Sequence, residues 1–175
     1  MLLQNRIVLA ASALFAACTL HAMTTTVEVT LSVVSSEGIG KSIGTVTFAD
    51  SEYGLMITPD LRGLHPGPHA AHIHEKADCG PSADGVPGGA AGDHYDPSHS
   101  NKHAGPFGDG HLGDLPNLII DQDGIAILPV LAPRITVADI KGRALLIHAG
   151  ADHYSDHATH RHGKGGDRMY CGVVE

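Results

Sequence analysis

The chain has 175 residues, of which 42% are hydrophobic and 17% charged, and its formal net charge at pH 7 is -8 with the histidines neutral. This length fits one globular domain, and the acidic balance argues against the broad basic surface that nucleic-acid binding needs. The 22 glycines, 14 histidines and 10 prolines, with only 4% aromatic residues, indicate a loop-rich protein that can bind metals.

The first residues have the pattern of an export signal. Arg6 provides the positively charged N-terminal region, residues 7–20 include a short apolar run, and the segment ends at the small residue Ala22. We expect cleavage there, so that residues 1–22 are a signal peptide and residues 23–175 are one domain. The apolar run is too short for a comfortable membrane span. The alternative is lipidation, because "LFAAC" loosely resembles a lipoprotein processing box and would make Cys18 a lipid anchor.

Two cysteines remain as candidates for a disulfide, because Cys18 would either be removed with the signal peptide or carry the lipid. Cys79 and Cys171 form an even pair, which in an oxidising compartment predicts a disulfide. It would close a loop of about 90 residues, which the chain-entropy model values at roughly 4–5 kcal/mol. Two free, buried thiols are the alternative.

The next segment alternates as a half-buried strand does. Four apolar residues of "TVEVTLSVV" share one face: Val27, Val29, Leu31 and Val33. After the turn "SSEGIGKS", the runs "IGTVTF" and "YGLMITP" lie on either side of a turn at residues 50–54. This order predicts an antiparallel meander.

Apolar runs return near the end of the chain. "NLIIDQDGIAILPVL" has two runs around a turn, and "ALLIHAG" predicts a short buried strand that ends at His148. Glycine, proline, aspartate and histidine dominate residues 75–113 and 149–167, and loops this long are usually functional. No segment keeps a helical period, so we predict an all-β barrel or sandwich with two long loops on one side.

Histidines are concentrated around "HAAHIHEK", residues 69–76. On a strand, His72 and His74 point the same way while Ile73 points to the core, which is a metal-ligand geometry. Taken alone, the pair is weak evidence for a metal site and favours surface or hydrogen-bonded histidines. His65 and His69, just upstream, are expected to bond backbone groups.

Histidines and an aspartate further along the chain favour a metal site. His94, His103, His111 and Asp114 offer three imidazoles and a carboxylate, a closed set suited to a structural zinc. His148 could return to His72 and His74 to complete an all-nitrogen site of the kind that copper(II) favours. Because copper is redox-active, that site would do the chemistry.

Five segments follow one another in fixed order along nearly all the mature chain: "HIHEKADCG", "GDHYDP", "HLGDLPN", "LLIHAGAD" and "GGDRMYCGVV". Through them the chain resembles the copper/zinc superoxide dismutases, and the exported bacterial branch in particular. The resemblance implies a Greek-key β-barrel or sandwich of immunoglobulin-like architecture, with one copper and one zinc per chain. It also implies superoxide as substrate, a periplasmic location, and a monomer or homodimer.

The resemblance implies roles for individual residues. The copper ligands would be His72, His74, His94 and His148. The zinc ligands would be His94, His103, His111 and Asp114, with His94 bridging both metals as an imidazolate. Cys79 and Cys171 match the family disulfide. Asp152 matches an aspartate that joins a copper-ligand histidine to a zinc-ligand histidine, and Arg168 matches the arginine beside the copper.

The mechanism that this implies is dismutation. One superoxide reduces copper(II) and leaves as dioxygen, and a second reoxidises copper(I) and leaves as hydrogen peroxide. His94 would carry a proton, Arg168 would hold the anion through charge-assisted hydrogen bonds, and Lys164 is a further candidate for attracting it. The alternative is an exported copper- and zinc-sequestering protein without catalysis. A zinc-only scavenger would not need His148 or Arg168, whereas this chain has a complete copper set and the arginine.

Some residues do not follow the family pattern. Four positions depart from it without removing a ligand, so they concern local packing: Ala70, Ala71, Asp93 and Tyr170. Surplus histidines stand in the two long loops, where they either collect metal or are simply solvated: His99, His153, His157, His160 and His162.

Overall fold

The structure is a computed structural model, and it describes residues 25–156 and 165–175. The expectations for the signal segment, for cleavage or lipidation near Cys18, and for His157, His160, His162 and Lys164 lie outside the described residues. Within them, no helix has both the length and the apolar character needed to cross a membrane.

Strands make up almost all the regular structure of the described residues. They are β1 (Thr26–Ser35), β2 (Gly38–Ser51), β3 (Gly54–Arg62), β4 (Gly67–His69), β5 (Ala71–His74), β6 (Leu118–Ile120), β7 (Ile125–Ala126), β8 (Val130–Ala132), β9 (Arg143–His148) and β10 (Arg168–Val174). A single-turn helix, α1, spans Val137–Ile140, and a 3-10 turn spans Gly89–Ala91. The predicted all-β class is confirmed.

Eight strands form one antiparallel sheet that curls into a half-barrel. Its order is β5-β9-β10-β1-β2-β3-β7, with β8 also paired to β3, while β4 and β6 form a separate pair. The predicted meander is present, since β1 pairs with β2 and β2 with β3. Because β5, β9 and β10 are neighbours, the histidine pair of β5 lies beside the strand that ends at His148 and the strand that begins at Arg168.

The core is built from the inward residues of alternating strands. Residues two apart on a strand face the same side, and the first three strands bury such pairs: Val29 and Leu31, Val46 and Phe48, Leu55 and Ile57. Fully burying one of these side chains is worth about 1.5–3 kcal/mol. The main core therefore lies against the meander and extends to the buried side chains of β9.

The pairing of β1 with β2 shifts register on both sides of Ser32. At each shift β2 advances one residue more than β1, so β2 is the strand that bulges. Val33 is half-buried against the main core, on the side predicted for it, while its neighbour Val34 is buried in a second cluster. Sequence periodicity did not predict the register shifts, because an extra residue in one strand leaves no trace in the apolar pattern of the other.

The second cluster surrounds the disulfide. Cys79 and Cys171 are bonded across a sequence separation of 92 residues, and both are buried. Cys79 belongs to the loop after β5, and Cys171 lies in the middle of β10. The predicted bridge thus fastens the first long loop to the sheet.

Replacing both cysteines with serine should destabilise the protein strongly. The bridge restricts the unfolded chain, so the free energy of unfolding should fall by roughly 4–5 kcal/mol, and the midpoint of thermal unfolding by roughly 10–20 °C. Circular dichroism against temperature measures this. Wild-type protein with its disulfide reduced should unfold at the same temperature as the double variant; equal midpoints for oxidised and reduced wild type would contradict the expectation.

Candidate metal centre

The outer edge of β5 is completed by the loop that follows it. Ile73 N donates to Gly113 O at 2.9 Å, Tyr95 N donates to Ile73 O at 2.8 Å, and Gly113 N donates to Tyr95 O at 2.8 Å. These bonds satisfy the buried backbone groups of an edge strand. The same pairing sets His94 opposite His74, and Asp114 opposite His72.

Gly113 is required for this approach. A Cβ at this position would lie 2.2 Å from Ile73 O and 2.9 Å from Tyr95 N, both of them backbone atoms. Neither atom can move without breaking the pairing at Ile73. Glycine is therefore the residue that lets the loop come this close to the strand.

Four histidines meet on the copper side predicted from the sequence. One ring nitrogen from each lies within 4.8 Å of the others, and the group consists of His72, His74, His94 and His148. The side chain of His94 is 11% exposed, whereas His72 and His74 are completely buried. The group therefore opens to solvent mainly along one side.

The outer nitrogens of these rings are held by backbone carbonyls. His74 Nδ1 lies 2.9 Å from Gly92 O, and His148 Nδ1 lies 3.0 Å from Gly166 O. A carbonyl can only accept, so each Nδ1 carries the proton and each Nε2 keeps its lone pair. His74 Nε2 is buried and has no hydrogen-bond partner among the described residues, which is the state that suits a metal-binding atom.

Three imidazoles converge on the buried carboxylate of Asp114. His94 Nδ1 lies 2.9 Å from Oδ1, His103 Nδ1 lies 3.0 Å from Oδ2, and His111 Nδ1 lies 3.4 Å from Oδ1. In the described part of the chain, Nδ1 of His103 and of His111 makes no hydrogen bond. Three nitrogens and one oxygen are a donor set suited to tetrahedral zinc. The described group whose donor atoms all lie within 4.8 Å of one another consists of His72, His94, His103 and Asp114, and it does not include His111.

Asp152 links the two sides. Its Oδ2 lies 2.7 Å from His72 Nε2 and its Oδ1 lies 2.7 Å from His103 Nε2. Asn117 holds this aspartate through two bonds to its backbone, at 2.8 Å to the N–H and 3.0 Å to the carbonyl. One buried carboxylate therefore orients a ring on each side of the centre, and sequence reasoning had not identified Asn117 as its support.

Burial dominates the ionisation of the centre. It lowers the pKa of His72, His74, His94 and His148, the last to about 4. Burial also lowers the pKa of His103, but contacts with Asp114 and Asp152 outweigh it and raise the pKa to about 9. The same contacts hold the pKa of both carboxyls well below its usual range, although burial opposes this. The copper-side rings are thus neutral near pH 7, the form that binds metals.

The open side is a cavity of about 520 Å³. His94 and His148 line it together with Arg168. The guanidinium of Arg168 donates Nη1 to Gly88 O and Nη2 to Gly92 O, both at 2.8 Å. Burial lowers the pKa of Arg168, and the charge of Asp93 opposes that. Three carboxylates also line the cavity: Glu75, Asp93 and Asp96.

The remaining residues singled out from the sequence are spread around the centre. His69 bonds backbone as expected, with Nδ1 2.6 Å from His148 O and Nε2 2.9 Å from His65 O. Among the departures, Ala70 and Ala71 are fully buried and Tyr170 belongs to the main core. His99 lines the cavity, and His153 is exposed beside a different pocket.

Residues 42–174 match the family described as copper/zinc superoxide dismutase (SODC). The chain belongs to this family. It is 48% identical over 134 residues to the superoxide dismutase [Cu-Zn] of Legionella pneumophila, covering 77% of this chain and 78% of that one. It is 46% identical over 152 residues to that of Escherichia coli, covering 85% and 87%.

Solved structures agree with this assignment. The Cu/Zn superoxide dismutase from Brucella abortus superposes with a TM-score of 0.82 at 42% identity, covering 86% of this chain and 100% of that one. The monomeric copper, zinc superoxide dismutase from Salmonella enterica superposes with a TM-score of 0.77 at 46% identity, again covering 86% of this chain and 100% of that one. The predicted copper/zinc superoxide dismutase family, its β-barrel fold, its oxidoreductase activity on superoxide and its two metals are confirmed.

Replacing Asp152 with asparagine should weaken metal binding on at least one side of this superoxide dismutase centre. An amide has one accepting oxygen, so one of the two imidazole N–H groups would lose its acceptor. We expect the affinity for at least one metal to fall roughly 10–100-fold, measured by competition with a chelator of known affinity. Asp123→Asn, an exposed change of the same kind in the turn before β7, should leave both affinities as they are; equal losses in the two variants would contradict the assigned link.

Proposed function

We propose that this chain dismutates superoxide at a copper held by four histidines: His72, His74, His94 and His148. A zinc beside it would be held by four groups: His94, His103, His111 and Asp114. The observation that carries the proposal is the convergence of the four copper-side nitrogens within 4.8 Å of one another, next to a cavity lined by Arg168. A protein that only sequesters metal gains nothing from that cavity.

The donor atoms fit the two metals. On the copper side, His72 Nδ1 lies 3.0 Å from His148 Nε2, and the outer nitrogen of each ring is engaged elsewhere. An all-nitrogen set suits copper, and the nitrogen and oxygen set around Asp114 suits zinc. Bound copper would supply the one-electron chemistry that converts two superoxide anions and two protons to dioxygen and hydrogen peroxide, while bound zinc would supply a fixed positive charge.

Arg168 would bind the anion. Two of its nitrogens are tied to backbone carbonyls, which fixes the guanidinium at the cavity wall without neutralising its charge. The guanidinium has five N–H groups, so donors remain for the substrate. Charge-assisted bonds of this kind are roughly twice as strong as neutral ones.

His94 would hold and deliver a proton. Its Nδ1 lies 2.9 Å from Asp114, so Nε2 is the atom left for the other side of the ring. Its ring stacks on His72 with centroids 3.9 Å apart, and its side chain reaches the cavity. A proton on Nε2 can therefore pass to an anion bound at Arg168 while Asp114 keeps the ring in place.

We also propose where the enzyme works. A signal peptide cleaved after Ala22 would deliver the domain to the periplasm as a monomer or homodimer, where the disulfide can form. The mass of the mature N-terminus tests this proposal. A chain that begins near Met23 supports it, and a diacylated Cys18 would replace it with a lipid anchor.

The decisive experiment measures superoxide dismutation and metal content on the same purified samples. Wild type should be active with about one copper and one zinc per chain. His148→Ala should lose copper and activity together, because it removes one of four nitrogens from the copper set. Arg168→Ala should keep copper and lose roughly tenfold or more in kcat/KM, since only a charge-assisted contact to the anion is removed.

Two outcomes would contradict these assignments. Full metal loading of the wild type without activity would leave a metal-sequestering protein. Unchanged activity in Arg168→Ala would remove the arginine from the anion site. Arg62→Ala is the matched control, because Arg62 is an exposed arginine paired with Asp60 on β3 and is absent from the cavity lining.

Asp93 stands where the family resemblance leads us to expect a glycine. It is exposed, lines the cavity with Arg168, and places a negative charge on the path of an anionic substrate. Fields inside a cleft change association rates strongly. We infer that Asp93 slows the capture of superoxide in this chain.

Asp93→Asn should therefore raise kcat/KM by roughly two- to fivefold at low ionic strength. The gain should shrink as salt increases, because the screening length is about 10 Å at 0.1 M. Pulse radiolysis across a salt series measures both effects. Asp60→Asn, which removes the same charge from β3, should change little, and an equal gain there would assign the effect to net charge alone.

A further inference from the structure

The two sides of the metal centre are supported differently. His72, His74 and His148 stand on strands β5 and β9. His103 and His111 stand in the long loop between β5 and β6, in a segment with no helix or strand. We call residues 103–111 the zinc loop. Since regular structure does not hold its backbone, other contacts must fix the two imidazoles.

Arg134, which lies outside the zinc loop in the sequence, contacts the backbone of this loop. Arg134 donates Nε to Pro106 O at 3.0 Å and Nη1 to Gly110 O at 3.2 Å. Its Nη2 donates to Gly105 O at 3.2 Å and to His111 O at 2.7 Å. The guanidinium therefore occupies the inside of the zinc loop, and its shortest bond goes to the backbone of a proposed zinc ligand.

The backbone on either side of Arg134 is anchored in the core. Arg134 follows β8, and its neighbours Ala132 and Ile135 are 2% and 1% exposed in the main core. Arg134 itself is half-buried, so its bonds are partly protected from water. A planar guanidinium presents its donors in a fixed fork, which lets it set the distances between the carbonyls that it binds.

Other hydrogen bonds hold the ends of the zinc loop, and those of Arg134 complement them. His111 N donates to Lys102 O at 2.8 Å and closes the loop at its base, and His103 N donates to Asp156 at 3.0 Å. Asp114 Oδ2 accepts from Ala104 N and Gly105 N at 3.3 Å. None of these contacts reaches Pro106 O or Gly110 O, so Arg134 spans the loop where they leave it open.

We propose that Arg134 is a positioning residue for the zinc side of the centre. It holds the zinc loop in the shape that brings the rings of His103 and His111 to Asp114, and it does not support the strand-borne copper histidines. This inference rests on the zinc ligands of the proposed function. Loss of the guanidinium should therefore weaken zinc retention far more than copper retention.

The test compares metal release from the holoprotein of wild type, Arg134→Gln and Arg134→Lys. Zinc transfer to a colorimetric chelator should be roughly tenfold faster or more in Arg134→Gln, with copper release close to wild type. Arg134→Lys keeps the charge but cannot span four carbonyls, so it should also release zinc faster. Cobalt(II) in the zinc position should show an altered visible spectrum in both variants, which loss of stability alone would not produce.

Arg143→Gln is the matched control. Arg143 is also half-buried, donates to the carbonyls of Asp139 and Glu75, and stacks over the ring of Tyr95. None of these contacts involves the zinc loop, so this variant should lose stability without releasing zinc faster. Equal acceleration in Arg143→Gln, or unchanged zinc release and cobalt spectra in the Arg134 variants, would overturn the proposal. If Arg134→Gln does not fold, Arg134→Lys decides by the same measures.

Asp114→Ala separates this inference from the function on which it rests. Wild type should hold one zinc per chain, and Asp114→Ala should lose it. If Asp114→Ala keeps its zinc, the proposed zinc ligands are wrong, and the role of Arg134 falls with them. If Asp114→Ala loses zinc while the Arg134 variants retain it, the ligands stand and the inference alone is wrong.

Discussion

The metal centre depends on the backbone of one residue at a sheet edge. Ile73 uses its N–H and C=O to bind Gly113 and Tyr95 on the loop that follows β5. A buried edge strand must find such partners, since an unpaired backbone group costs about as much as a lost hydrogen bond. Here the partners lie beside His94 and Asp114, so satisfying the strand also delivers two proposed ligands to the histidine pair of β5.

Ring orientation follows from a second set of constraints. Once the backbone has brought the imidazoles together, buried acceptors decide which nitrogen of each ring faces inward: carbonyls for His74 and His148, and Asp152 for His72. Because Asp152 also holds His103, a shift of either ring is transmitted to the other side. The centre is therefore better described as one network with two binding positions than as two adjacent sites.

Much of this arrangement could be predicted from the sequence, for identifiable reasons. Period-two alternation predicted the meander, and the spacing of His72 and His74 predicted a shared face. The position of His148 at the end of an apolar run already suggested that it joins them, whereas the place of His94 between the two metals depended on the family resemblance, because pairing between a loop and a strand edge has no periodicity. Asn117 and Arg134 were missed because both act through backbone N–H or C=O groups, which nearly every residue offers. The bulges in β2 were also missed, since a register shift changes pairing and not composition.

The tight contact at Gly113 has a consequence for how this protein can change over time. Positions that bind metal can be exchanged in principle, because cysteine, histidine and carboxylates substitute for one another as ligands. No other residue can replace Gly113 in this way, because the Cβ of any side chain would lie 2.2 Å from the backbone oxygen of Ile73. Mutational drift should therefore be restricted at least as strongly at this residue, which binds no metal, as at the residues that do.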